Sequence, residues 1–145
     1  MKMKRKIRKG FTMVELMAVL IILGLLATLL VKNFMGQTDR ARKTTTKVNL
    51  RLLHGAVVQF KLQIGRFLTE EEGLMALIEP PSDVTDFPEG GFLDTTDIPK
   101  DGWGRDFEYR LWPDSGKQFE ILSYGADGEE GGEGYDADLR DSDAY

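Results

Sequence analysis

Apolar residues follow three different periods along this chain, and each period predicts a different element. From Phe11 to Val31 they run almost without a break: 21 residues with one charge, Glu15, and two threonines, Thr12 and Thr28. As a helix this run is about 30 Å long, the hydrocarbon thickness of a bilayer. From Val48 the spacing changes to three and four. Val48, Leu52, Leu53, Ala56, Val57, Phe60 and Ile64 mark one apolar face of an amphipathic helix. No proline lies between Lys4 and Pro80, so one helix is expected to continue to about Ile64, with Gly24 and Gly36 as its weak points. The third period is two. Phe107-Glu108-Tyr109-Arg110-Leu111 alternates as a strand, Pro113-Asp114-Ser115-Gly116 is a turn, and Phe119 to Tyr124 is the returning strand. Between helix and strands, Gly65-Arg66-Phe67-Leu68 breaks the helix. Thr69-Glu70-Glu71-Glu72 reads as a capping box that opens a short helix, Gly73 to Ile78, stopped by Pro80-Pro81. Residues 82–106, rich in Pro, Gly and Asp, read as loop. The outline is α+β: a long helix, a short helix, a loop and a small antiparallel sheet.

Size and charge narrow this outline. The chain has 145 residues. Without the apolar run, roughly 80–110 residues remain for one small water-exposed domain. There is no cysteine, so a domain outside the cytoplasm lacks the usual disulfide staple, and another, such as a metal ion, takes on interest. The net charge of -5 conceals strong segregation. Residues 1–10 hold six Lys/Arg and no acid, residues 32–66 hold eight Lys/Arg and one acid, Asp39, and residues 127–145 hold eight acids and one base, Arg140. The basic start places the N-terminus on the cytoplasmic side and the rest of the chain across the membrane. The basic helix stretch has no accompanying nucleic-acid motif. Its Arg40, Arg42, Lys43, Lys47 and Arg51 are either a solvated face or a contact for acidic loops of neighbouring subunits. His54, the single histidine, has no evident acid or nucleophile beside it in sequence and reads as structural.

Glu15 is the anomaly in the apolar run. A cleaved secretory signal has a core of 7 to 15 residues followed by a small-x-small exit, and Leu29-Leu30-Val31-Lys32 is a poor exit. A plain signal anchor fits the length but gives Glu15 no purpose beyond being tolerated near the interface. Lys9-Gly10-Phe11-Thr12-Met13-Val14-Glu15-Leu16 closely resembles the leader of type IV pilins and their relatives. The resemblance implies cleavage after Gly10 by a prepilin peptidase, N-methylation of Phe11, and retention of the apolar helix in the mature protein. Glu15 is then the fifth mature residue. Physical chemistry agrees: cleavage creates an amine at Phe11 that is cationic near neutral pH. In a stack of apolar helices a neighbour's amine neutralises Glu15, and a subunit in the wrong register leaves a buried charge unpaired.

The remaining motifs narrow the resemblance. Gly65-Arg66-Phe67, Glu72-Gly73-Leu74-Met75-Ala76-Leu77, Asp101-Gly102-Trp103-Gly104-Arg105 and Ser123-Tyr124-Gly125-Ala126-Asp127-Gly128 resemble the major pseudopilin family of type II secretion systems, general secretion pathway protein G, over nearly the whole chain. That family commonly has Tyr-Pro at Phe67-Leu68 and Asp-Pro-Trp-Gly at Asp101 to Gly104. The tail after the last strand gathers Asp127, Glu129, Glu130, Glu133, Asp136 and Asp138 among glycines. Hard oxygens and turning backbone are what Ca²⁺ takes, while the absence of Cys argues against zinc or copper. A disordered acidic tail is the competing reading. The EF-hand pattern is absent, and the single Gly-Gly-x-Gly-x-Asp match at Gly131 to Asp136 lacks the stacked copies such repeats need. The resemblance implies calcium held by Asp127 and Asp138, with Tyr124 and Glu129 at positions that offer carbonyls and Asp136 as a further ligand.

The family implies a type IV pilin-like fold: a long N-terminal helix, its first half spanning the membrane, packed on a small antiparallel sheet with a calcium-binding C-terminal loop. Residues 1–10 are the leader, 11–31 the transmembrane and filament-core helix, 32–64 its amphipathic continuation and 65–145 the periplasmic globular region. The implied function is structural, a single-pass inner-membrane subunit that polymerises into a periplasmic pseudopilus driving export of folded proteins across the outer membrane. Its partners are further copies of itself, minor pseudopilins, the prepilin peptidase and the inner-membrane assembly platform. The chain has no nucleotide motif, so a cytoplasmic motor must supply the work. A pilin of a surface pilus is the nearest rival, weakened by the missing cysteine pair. A membrane-tethered enzyme lacks a placed nucleophile–base pair, and a monomeric calcium-binding adaptor differs in forming no filament.

Overall fold

The computed structural model describes residues 10–145, the side chains of residues 29–36 excepted, so the leader before Gly10 lies outside the described residues. The chain divides into two compact units, one ending at Gln37 and the other spanning Thr38–Tyr145. Helix α1 is assigned over Met13–Ile64, through both Gly24 and Gly36.

In the first unit, the described side chains of the helix form no core. Every large apolar side chain described from Phe11 to Leu26 is at least 46% exposed. A helix apolar on all sides belongs inside lipid or among other helices, because water gives none of those side chains a partner. Among the described residues no helix is long and apolar enough to cross a membrane. The expected span ends at Val31, and its last three side chains lie outside the described ones.

The second unit has a true core. Leu50, Leu53, Val57 and Phe60 of α1 are fully buried. They pack with Leu68, Leu74, Leu77, Phe107, Tyr109, Phe119, Ile121 and Leu139. The predicted face holds at Leu53, Ala56, Val57 and Phe60, all buried, and differs at its start: Val48 and Leu52 are 54% and 48% exposed, while Leu50 and Thr46 are buried. Thr46 sits inside by bonding back to the Arg42 carbonyl (2.9 Å) and so behaves as an apolar residue would.

Gly65, at φ +88°, ends the helix. The expected capping box forms. The Thr69 amide donates to Glu72 Oε2 (2.8 Å), and the Glu72 amide donates to Thr69 Oγ1 (3.2 Å). The box closes the turn at residues 69–72, and the expected short helix follows it as a 3-10 helix, Gly73–Leu77. Five residues before a double proline leave little room for α-type bonding, and i to i+3 bonds close a short turn sooner.

Strand β1 (Glu108–Leu111) pairs antiparallel with β2 (Phe119–Ser123), Tyr109 opposite Ile121 and Leu111 opposite Phe119. A third strand, β3 (Leu139–Arg140), lies on the other side of β2, and the sheet order is β1-β2-β3. A 3-10 helix, Asp141–Ala144, closes the chain. Neither of the last two elements announces itself in sequence: two and four residues are too few for a period. They explain why β2, with a sheet neighbour on each side, is buried along its whole length. Even Glu120 is only 2% exposed, flanked at 3.6 Å by Lys117 and Arg140.

Candidate functional site

Two places hold the residues singled out in sequence, and they are built differently. The first is the start of α1. The Thr12 amide and hydroxyl both donate to Glu15 Oε2 (2.9 Å each), and the Glu15 amide donates back to Thr12 Oγ1 (3.2 Å). Thr12 is therefore an N-cap, and Glu15 the third residue of its capping box. The sequence directs attention to a charge partner for Glu15 and away from this local one, although Thr-x-x-Glu is the same signal that marks the turn at Thr69. Among the described residues no cation pairs with Glu15. Gly10 and Phe11 precede the helix and are exposed, Phe11 by 82%.

The second place is the acidic loop between β2 and β3. It is ordered by its own backbone. Ala126 N donates to Tyr135 O (2.9 Å), Gly128 N to Tyr124 O (3.1 Å), Asp136 N to Glu133 O (3.1 Å) and Asp138 N to Gly131 O (3.1 Å). Gly125 must be glycine: its φ is +63°, and a Cβ there would lie 2.7 Å from the Asp136 carbonyl oxygen. The loop's two ends thus meet at Gly125. Asp127 Oδ1 accepts from the Glu129 amide and Asp138 Oδ1 from the Gly131 amide, each at 3.1 Å. Each of these two aspartates commits one oxygen to shaping the loop.

Basic side chains reach the loop from α1, from β1 and from the turn before β1. Lys43 of α1 donates to the Gly134 carbonyl (3.3 Å), Arg105 to the Gly125 carbonyl (2.8 Å), and Arg110 of β1 stands 3.8 Å from Glu130. The C-terminal 3-10 helix is gripped in the same way: Lys47 donates to the Asp143 carbonyl (2.6 Å) and Arg51 to that of Ala144. Much of the basic stretch of α1 therefore serves the domain's own tail. His54 corrects another expectation, since an acid does face it. Its Nδ1 lies 2.7 Å from Asp141 Oδ2, and its ring lies 5.0 Å from that of Phe119. The role stays structural, and the acid comes from 87 residues away in sequence.

Tyr124 has its hydroxyl engaged by Glu108 and by Arg110 (2.9 Å). The bond to Glu108 raises the Tyr124 phenol above its ordinary range. Burial works against ionisation of Glu108, but the bonds from Arg110 and Tyr124 outweigh it and hold that carboxyl low. Tyr124 can thus offer an ion only its carbonyl, which already accepts from Gly128. The loop's donors are all hard oxygens, the chemistry a Ca²⁺ ion takes. Among the described residues no three His, Cys, Asp or Glu side chains are gathered for a metal, so any such site relies on carbonyls beside its carboxylates.

A family model described as type II secretion system (T2SS), protein G, matches residues 33–142, and one described as the prokaryotic N-terminal methylation motif matches residues 5–31. The chain belongs to the type II secretion system protein G family. Relatives of this family named type II secretion system core protein G include that of Vibrio cholerae, 37% identical over 93% of each chain. That of Klebsiella pneumoniae is 40% identical over 83% of this chain and 86% of its own. The fold is that of the family as well. The crystal structure of the major pseudopilin from the type 2 secretion system of enterohaemorrhagic Escherichia coli matches with a TM-score of 0.59 and 27% identity, covering 74% of this chain and 92% of that one.

Proposed function

We propose that this chain is the major structural subunit of a type II secretion pseudopilus, anchored in the inner membrane by residues 11–31 and polymerised through that helix in the periplasm. The observation that carries this reading is the pairing of a family match over both parts of the chain with a first helix whose large apolar side chains are exposed. Such a surface needs lipid in the monomer and other helices in the filament. No enzymatic role is assigned; the work done on exported proteins comes from filament growth. The partners are copies of the chain, minor pseudopilins and the assembly platform. Prepilin peptidase cleaves after Gly10, and the methylated N-terminus is Phe11. Mass spectrometry of the mature protein tests this: a methylated Phe11 is expected, and an intact Met1 or a cut near Val31 would overturn it.

The acidic loop is proposed as a calcium site. Asp127 and Asp138 would supply carboxylates, with Asp136, Glu129 and the Tyr124 carbonyl completing the shell. The ion would neutralise acids that otherwise repel one another, which couples its binding to the folding of the C-terminus. For the full-length chain in detergent, a chelator is expected to lower the Tm by several degrees, and Asp127→Ala to remove that response. Identical melting of the wild type with and without Ca²⁺ would refute the site.

A further inference from the structure

We propose that Asp101 and Arg105 are positioning residues for the acidic loop, holding its entry in the shape that presents Asp127. The role of the loop as a ligand shell rests on the calcium reading; the geometry of the brace does not.

Asp101 is a buried carboxylate, 5% exposed, with both oxygens in use. Its Oδ1 accepts from the amides of Trp103 (2.9 Å) and Arg105 (2.8 Å), which ties the turn into a ring. Its Oδ2 accepts from the Ser123 hydroxyl at 2.6 Å. From this one carboxylate two arms run to the same residue. Ser123 Oγ accepts from the Gly125 amide (3.4 Å), and the Arg105 guanidinium donates to the Gly125 carbonyl (2.8 Å). Both polar groups of the Gly125 backbone are thus held by side chains that Asp101 orients.

Gly125 is where the loop's two ends touch. The Arg105 side chain also crosses the loop's second turn. A Cβ on Gly128 would come within 2.6 Å of its Nε, so the absence of a side chain at 128 makes the passage for the guanidinium. Asp127 stands between these two fixed points. The brace therefore sets the backbone on both sides of the first expected ligand. It does so with an extended planar group whose Nη1 donates to the Gly125 carbonyl while its Nε side passes over Gly128, a span that a lysine's point charge does not reproduce. The turn itself does not drift, because the Gly102 amide donates to Thr46 Oγ1 (2.9 Å) and Asn49 Nδ2 donates to the Lys100 carbonyl (2.8 Å), both from α1.

Amide hydrogen exchange on the full-length chain in detergent reads the brace directly. With chelator present, Arg105→Gln and Arg105→Lys are each expected to speed exchange of residues 125–138 about tenfold, as loss of a charge-assisted bond predicts, while β1 and β2 amides keep their protection. Titration with Ca²⁺ is expected to show about tenfold weaker binding for both variants. Unchanged loop exchange in Arg105→Gln overturns the proposal. Full restoration by Arg105→Lys also overturns it, because positive charge alone would then suffice. Asp101→Asn is expected to loosen the same residues, and protection equal to wild type there removes Asp101 from the role. A wild type that binds no Ca²⁺ sinks the calcium reading, yet the exchange measured in chelator still decides the brace.

Discussion

The chain writes one turn twice, as Thr12-Met13-Val14-Glu15 and as Thr69-Glu70-Glu71-Glu72, and gives the two glutamates opposite surroundings. Locally the turns are nearly superimposable in chemistry: each threonine amide donates to the glutamate, and each glutamate amide donates back to the hydroxyl at 3.2 Å. Around Glu72 the domain supplies a counter-ion. Arg66 makes a two-bond fork to its carboxylate (2.9 and 2.7 Å) and a second fork to Asp83. Around Glu15 the described residues supply none. A cap satisfies backbone donors without neutralising a charge, so Glu72 is neutralised within its own domain, whereas among the described residues Glu15 is capped and not neutralised. The filament reading names its counter-ion as the Phe11 amine of another subunit.

Removing the charge while keeping the cap breaks the comparison most sharply. Glu15→Gln retains an acceptor for Thr12 but offers no anion to an amine. Filament yield is expected to fall by about tenfold or more, with membrane insertion unchanged; this follows if an unpaired buried amine is what disfavours assembly. Filaments at the wild-type level would show that Glu15 is a cap and nothing more. Next in size is Arg66→Ala, which strips the counter-ion from Glu72 and Asp83. A partly exposed double fork of this kind contributes about 1–2 kcal/mol, so the second unit is expected to melt several degrees lower, while the start of α1 is untouched. The smallest effect is in pH. Hydrogen bonding to Arg66 holds the Glu72 carboxyl below its ordinary value of 4.5. A depressed carboxyl stabilises the fold above its unfolded pKa, and the contribution fades as pH drops through the folded one. Stability is therefore expected to decline below about pH 4.5 in wild type, and Glu72→Gln to flatten that slope in denaturant titrations.

How much a sequence shows depends on the range of the interactions. The helix, its break at Gly65, the Thr69 cap and the β1–β2 hairpin come from neighbours within a few residues, and all are legible. The start of the helix face is not, because Thr46 hides its hydroxyl by bonding back to its own helix. The other hidden pieces depend on pairs distant in sequence: Asp141 beside His54, Arg105 on Gly125, and the two-residue strand β3. No period marks them, since each exists only once the chain has returned on itself. The Thr12 cap is a different case. Its signal is present, and the charge on Glu15 masks it.

Gly102 shows how far such pairings constrain exchange between relatives. Its missing Cβ would lie 2.1 Å from the Arg42 carbonyl oxygen, and its amide is donated to Thr46. Where this family commonly places proline, that amide would be lost and a ring carbon added. Helix and turn are thus fitted to each other as lock and key. Grafting a relative's Asp-Pro-Trp-Gly turn into this domain would require a helix shaped for it, so hybrids between family members should be cut where helix and turn travel together.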